Sequence, residues 1–206
     1  MNGSAEVGRR EAIKRIGALM GGALSAPTLA GLLAGCEVPV SSDFRPRTLE
    51  PAQLRHVGEI AEMIIPETDT PGAAAARVHH YIDLILTDFH SAEEVSGFVA
   101  ALDGVDDRAR AMVGHSWQEA SAAEKGRVLE ALDAEAFPDP VTEPTAYAAV
   151  EARIAAGDVP FMRTMKELTV AGYYTSRVGQ TVELRLVPFG TFDADLSLDE
   201  VGRAWA

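Results

Sequence analysis

From Pro51 to Tyr174 the apolar residues recur every three or four positions, in short segments punctuated by proline. That spacing lines them along one side of an α-helix, and proline cannot continue a helix interior. The pattern therefore dictates several separate amphipathic helices rather than a sheet. The first stripe is Leu54, Val57, Ile60, Ala61, Ile64 and Ile65, and Pro66 ends it. The second is Val78, Ile82, Ile85, Leu86 and Phe89. Before it stands Pro66-Glu67-Thr68-Asp69-Thr70-Pro71-Gly72-Ala73, where Asp69 or Thr70 is placed to cap the next helix and proline suits its first turn. A third helix over Ala92 to Val113 presents Val95, Phe98, Val99 and Leu102. A fourth opens on Ser121-Ala122-Ala123-Glu124, a capping box, and would bury Val128, Leu129 and Leu132. Pro138, Pro140 and Pro144 mark a loop, and short helices are expected over Tyr147–Ala155 and Phe161–Tyr174. Only Thr181–Val187 alternates like a strand. The expected fold is mainly α: a compact multi-helix domain with a short irregular or β-like C-terminal segment.

The chain ahead of this domain reads differently. Gly8-Arg9-Arg10-Glu11-Ala12-Ile13-Lys14 is similar to the twin-arginine signal pattern, with Arg9, Arg10 and Lys14 as its basic positions and Ala12 where an aromatic is often found. Ile16 to Ala34 then runs 19 residues without a charge. That is the order of a secretory signal. An uncleaved membrane helix is the alternative, but repeated glycines and Pro27 make the stretch a poor helix former. Leu33-Ala34-Gly35-Cys36 looks like a lipobox, in which the cysteine is lipidated and becomes the new N-terminus. Two or more acyl chains there would give stable anchoring; cleavage near Ala30 or Ala34 is the competing outcome. The expected organisation is a signal peptide over 1–35, a flexible tether over 36–50 (three prolines fall between Val38 and Pro51, counting Pro51), and the helical domain over 51–206. The domain would face the periplasmic side of the membrane, with the twin-arginine translocase as a transient partner.

Charge narrows the function. The chain has 31 acidic and 18 basic residues, and the first 35 residues hold four of the basic ones against Glu6 and Glu11. The part left after removal of the leader is strongly acidic, which repels phosphate backbones and argues against nucleic-acid binding. A single cysteine, Cys36, excludes an intramolecular disulfide, four-cysteine zinc sites and c-type haem attachment in this chain. His56, Glu59 and Glu62 lie three apart on the first helix, and His79, His80 and Asp83 lie on the second, but no paired Glu-x-x-His segments occur. Such carboxylate-rich helices ordinarily present a solvated face. No Gly-x-Ser-x-Gly elbow and no dinucleotide fingerprint occur in the mature chain. No catalytic, cofactor-binding or metal-binding residue is assigned. The twin-arginine route carries folded, often cofactor-bearing proteins, and this chain has no cofactor motif, so something else is expected to travel with it.

The leader, Ile64-Ile65-Pro66-Glu67-Thr68-Asp69-Thr70-Pro71-Gly72-Ala73, the segment from Phe161 through Gly172-Tyr173-Tyr174-Thr175-Ser176, and the Gly202-Arg203-Ala204-Trp205 tail occur in that order. In this the chain resembles gluconate 2-dehydrogenase subunit 3, the small subunit of flavin-dependent membrane dehydrogenase complexes. The resemblance implies a non-catalytic subunit that binds a folded FAD-dependent large subunit of the glucose–methanol–choline type, acting on a sugar or polyol, and can supply its export signal. A c-type cytochrome carrying haem is often the third subunit. Carried onto this chain, Pro66, Asp69, Pro71, Gly72, Tyr173 and Tyr174 are structural or partner-contact positions. Trp205 either meets a partner or docks onto its own domain. Two other readings stay open: a stand-alone envelope lipoprotein with a binding role, and a metal-dependent envelope enzyme using His56, His79, His80 or His115.

Overall fold

The computed structural model describes residues 44–184 and Ser197. The leader, Cys36, the 185–187 part of the strand-like segment and Trp205 lie outside the described residues. Six α-helices follow one another: α1 (Pro51–Ile64), α2 (Val78–Phe89), α3 (Ala92–Val113), α4 (Ala122–Ala136), α5 (Pro144–Ala155) and α6 (Phe161–Thr175), with a π-helical turn at Gly179–Glu183. No strand occurs among the described residues. The mainly α expectation holds, and α3 has the bounds that its apolar stripe gives.

Local chemistry sets most of the helix starts. Ser91 and Glu94 form a reciprocal capping box at α3, and Ser121 and Glu124 form another at α4. Each serine hydroxyl takes one amide that the first turn leaves unpaired, and each glutamate returns to the serine N–H. Pro51 and Pro144 occupy the first positions of α1 and α5, where a missing N–H costs nothing. Gly114 stops α3 in the left-handed conformation, φ 88°, that glycine adopts without penalty.

The core lies where α1, α2, α3, α4 and α6 meet. Val57, Ile60, Val78, Ile82, Leu102, Val105, Val128 and Met165 are sealed from solvent there. A second cluster of contacts is aromatic, with Phe98 of α3 against Phe161 of α6 at 5.2 Å between ring centres. α5 stands apart from this core: of its residues only Val150 is buried.

Three local expectations are corrected. Phe89 is 78 % exposed, because it is the last residue of α2 and falls beyond the final buried layer at Leu86. Neither Asp69 nor Thr70 caps α2, which begins only at Val78. Ala73 to Arg77 instead make a separate turn that breaks at Arg77, whose φ of 57° is left-handed. That conformation costs an L-residue roughly 1 kcal/mol, and the contacts of the preceding turn hold it in place. Finally, Thr181 to Glu183 belong to the π-helical turn and not to a strand. Alternation over so few residues is weak information, and packing onto the end of α6 decides the backbone.

The compact unit begins at Arg45. Within the segment read as a tether, Arg47, Thr48 and Leu49 are fixed by Asp83 of α2. Its carboxylate is completely buried and accepts from all three backbone N–H groups at 2.9, 3.1 and 2.8 Å. Arg47 adds an ion pair to Asp88 at 3.0 Å, and the Thr48 and Thr87 hydroxyls meet at 2.7 Å.

Candidate partner-docking site

The turn between α1 and α2 is built around Glu62. One oxygen of its carboxylate accepts from the Glu67 N–H at 2.9 Å, and the other accepts from the Ala74 N–H at 2.7 Å. Ala73 N–H closes the base onto the Ile65 carbonyl at 2.9 Å. Gly72 is buried against the same carboxylate, so closely that a Cβ there would collide with both Glu62 oxygens. Glycine is required here by space, not by its dihedral freedom.

A second clamp comes from far along the chain. The Tyr173 hydroxyl donates to the Pro71 carbonyl at 2.7 Å, across 102 positions of sequence. Tyr173 is buried, and burial pushes its phenol above the ordinary tyrosine value. Gly172 lets α6 approach α2, since a Cβ at that position would come within 2.6 Å of Cδ1 of Tyr81. Gly179 does the same for the π-helical turn, whose backbone passes against the Tyr173 carbonyl.

The two segments Ile64–Ala73 and Phe161–Ser176 are thus one unit in space. Gly72 and Tyr173 are used to hold the domain together, and Pro71 is half-buried. Pro66, Glu67, Thr68 and Asp69 are exposed at the tip of the turn. Tyr174 is 39 % exposed and sits edge-on to Tyr173 at 5.2 Å. Val170, one turn earlier on α6, and Val182 are also exposed apolar side chains. The arrangement presents a pre-shaped acidic tip and an aromatic ring on a rigid base. Preorganisation of that kind removes ordering cost from association.

Tyr173→Phe removes one buried hydrogen bond while keeping the ring. It is expected to lower unfolding stability by about 1 kcal/mol in a denaturant titration, whereas Tyr174→Ala should change it by no more than about 0.5 kcal/mol.

The histidines and the helix carboxylates go to different places. Glu59 accepts the Trp117 indole N–H at 2.9 Å and pairs with Lys125 at 3.2 Å. His56 packs its ring on Trp117 at 5.1 Å, and Lys125 lies 5.2 Å from the same ring. Burial alone would raise the Glu59 carboxyl, but the Trp117 N–H and Lys125 more than reverse this and hold it below the usual range. His115 meets Glu124 at 3.3 Å, and His79 lies against His80 at 4.3 Å. Among the described residues, no group of three His, Cys, Asp or Glu side chains is arranged to hold a metal ion. Glu59 and Glu62 remain partly open to solvent, and each also organises a different contact. Trp117, Lys125 and the anchoring role of Asp83 escaped the sequence reading, because no spacing rule links positions so far apart.

The family model for gluconate 2-dehydrogenase subunit 3 matches residues 51–191. The chain belongs to the gluconate 2-dehydrogenase subunit 3 family. No curated relative and no solved structure matches it. The matched region runs from the first residue of α1 past the π-helical turn, so it includes both segments that meet at the Tyr173–Pro71 hydrogen bond. In this subunit 3 chain, the two internal segments that carry part of the family resemblance, Ile64–Ala73 and Phe161–Ser176, are those that shape and present the turn.

Proposed function

We propose that the chain is a non-catalytic small subunit that binds a folded FAD-dependent sugar or polyol dehydrogenase of the glucose–methanol–choline type. It assists assembly and export of that flavoprotein and holds it at the periplasmic face of the membrane through lipidated Cys36. A c-type cytochrome is the natural third member. Family membership over residues 51–191 carries this reading. The rigid turn supports it: Pro66, Asp69 and Tyr174 are offered to solvent on a base fixed by Glu62, Gly72 and Tyr173. The pinned backbone at Arg47 also bears on anchoring. Eleven residue steps separate it from Cys36, so a fully extended connection would reach at most about 38 Å.

The test is to tag the chain at its C-terminus in its native host, solubilise the membranes gently and recover it. The expected result is a near-equimolar larger polypeptide with a flavin absorption spectrum. A colourless single band, reproduced under mild conditions, would reject stable membership of a complex. Export is tested separately with Arg9→Lys combined with Arg10→Lys. Both this chain and its flavoprotein are expected to remain in the cytoplasm, measured by cell fractionation and dehydrogenase activity outside the inner membrane. Normal export of the flavoprotein in that variant would remove the export role.

A further inference from the structure

Two ring nitrogens are buried beside α1 without a hydrogen-bond partner: Nε2 of His56 and Nδ1 of His79. His56 is on α1 itself, wedged against Trp117. His79 is on α2, and its ring packs onto α1 at Gly58, where a Cβ would lie 3.5 Å from the imidazole. α1 is thus flanked on two contacts by imidazoles that have no acceptor for an added proton. The same helix carries Glu62, which holds the exposed turn.

We propose that the α1–α2 pair is an acid-sensitive latch, in which protonation of His79 and His56 loosens α1 and with it the Glu62-held turn. Arg77, and His80 once it is itself protonated, act on His79 and oppose its protonation. His56 faces Glu59 on its own helix, Asp103 and Asp106 from α3, and Lys125 from α4. Burial is the largest influence on both rings. It lowers His56 despite the three carboxylates, and with His80 and Arg77 it brings His79 down to about 4 from 6.5.

The sign follows from proton counts. An unfolded chain takes up protons at both rings as pH falls through 6.5, while the folded chain resists, at His79 until about 4. The unfolded state therefore binds more protons in that window, and stability is lost as pH falls across it. For His79 alone, going from pH 7.5 to 4.5 lowers the folded-to-unfolded ratio by up to roughly 70-fold. A domain facing outside the cytoplasm meets the pH of its surroundings directly. The consequence for a bound flavoprotein rests on the function proposed above; the latch itself does not.

The test uses the full chain in detergent, with denaturant titrations at pH 7.5 and 4.5 for the wild type and for His56→Gln with His79→Gln. The wild type should lose stability on acidification, and the double variant should lose markedly less. Equal losses would overturn the latch. Should the double variant fail to fold, hydrogen exchange at the imidazole C2 positions of the wild type, read by mass spectrometry, reports each ring separately. A His79 that titrates near 4 supports the proposal, and one that titrates near 6.5 overturns it. In the same samples, amide exchange across 62–74, corrected for its intrinsic pH dependence, should rise in acid; unchanged protection there would also overturn it.

Discussion

Trp117→Ala is expected to destabilise the domain by about 4 kcal/mol, the upper range for removing a buried aromatic side chain. Trp117 is the largest fully buried side chain, with 1 % of its surface exposed. Three helices converge on it. Its indole N–H donates to Glu59 of α1, Lys125 of α4 lies over its ring, and its backbone N–H donates to Asp106 of α3 at 2.8 Å. Truncation opens a cavity among these helices and leaves Glu59 with one partner fewer in a half-buried position. Trp117→Phe keeps most of the volume and loses only the indole hydrogen bond, so its cost should be about 1–2 kcal/mol. Denaturant titration of both variants separates packing from hydrogen bonding. Equal losses for the two would mean that the Glu59 contact, and not the filled volume, dominates.

The second large effect concerns Asp83. Replacing it by alanine leaves the N–H groups of Arg47, Thr48 and Leu49 without their acceptor. Orphaned donors cost about 1–3 kcal/mol each when buried and less where water can reach them. Only the Leu49 bond is fully buried, so a total of about 3 kcal/mol is expected, or roughly 10 °C in Tm for a domain of this size. Local consequences should exceed the global one. Amides of 47–49 should lose protection from hydrogen exchange, and a protease should cut between residues 44 and 50 in the variant before it cuts the helices. Asp83→Asn is the informative companion, because its amide retains one acceptor oxygen and should recover part of the loss. A variant with unchanged exchange at 47–49 would mean that the segment is held by Arg47–Asp88 and Thr48–Thr87 instead.

These two residues also mark where sequence reading stops. Asp83 was visible only as one of several polar residues on α2, and its helical position gave no hint that three amides from 34 to 36 positions earlier would converge on it. Trp117 lies in a short connection between α3 and α4, outside every apolar stripe, so periodicity had nothing to say about it. The spacing of Glu59 and Glu62 suggested a wet face, and the structure gives each of them a separate task. Tyr173 and Gly72 could be named from resemblance, but not their mutual position.

What the sequence determined by itself was local. The capping boxes, the proline starts and the 3.6-residue stripes depend on contacts between residues four or fewer positions apart, so they are written in order along the chain. The tertiary structure alone decided the rest. Whether Phe89 is buried, where α2 begins, and which carboxylate holds which backbone depend on what other helices bring to the same place. The Tyr173–Pro71 bond joins positions 102 apart. Such contacts form only when hydrophobic burial has docked the helices, and one-dimensional spacing carries no record of that docking.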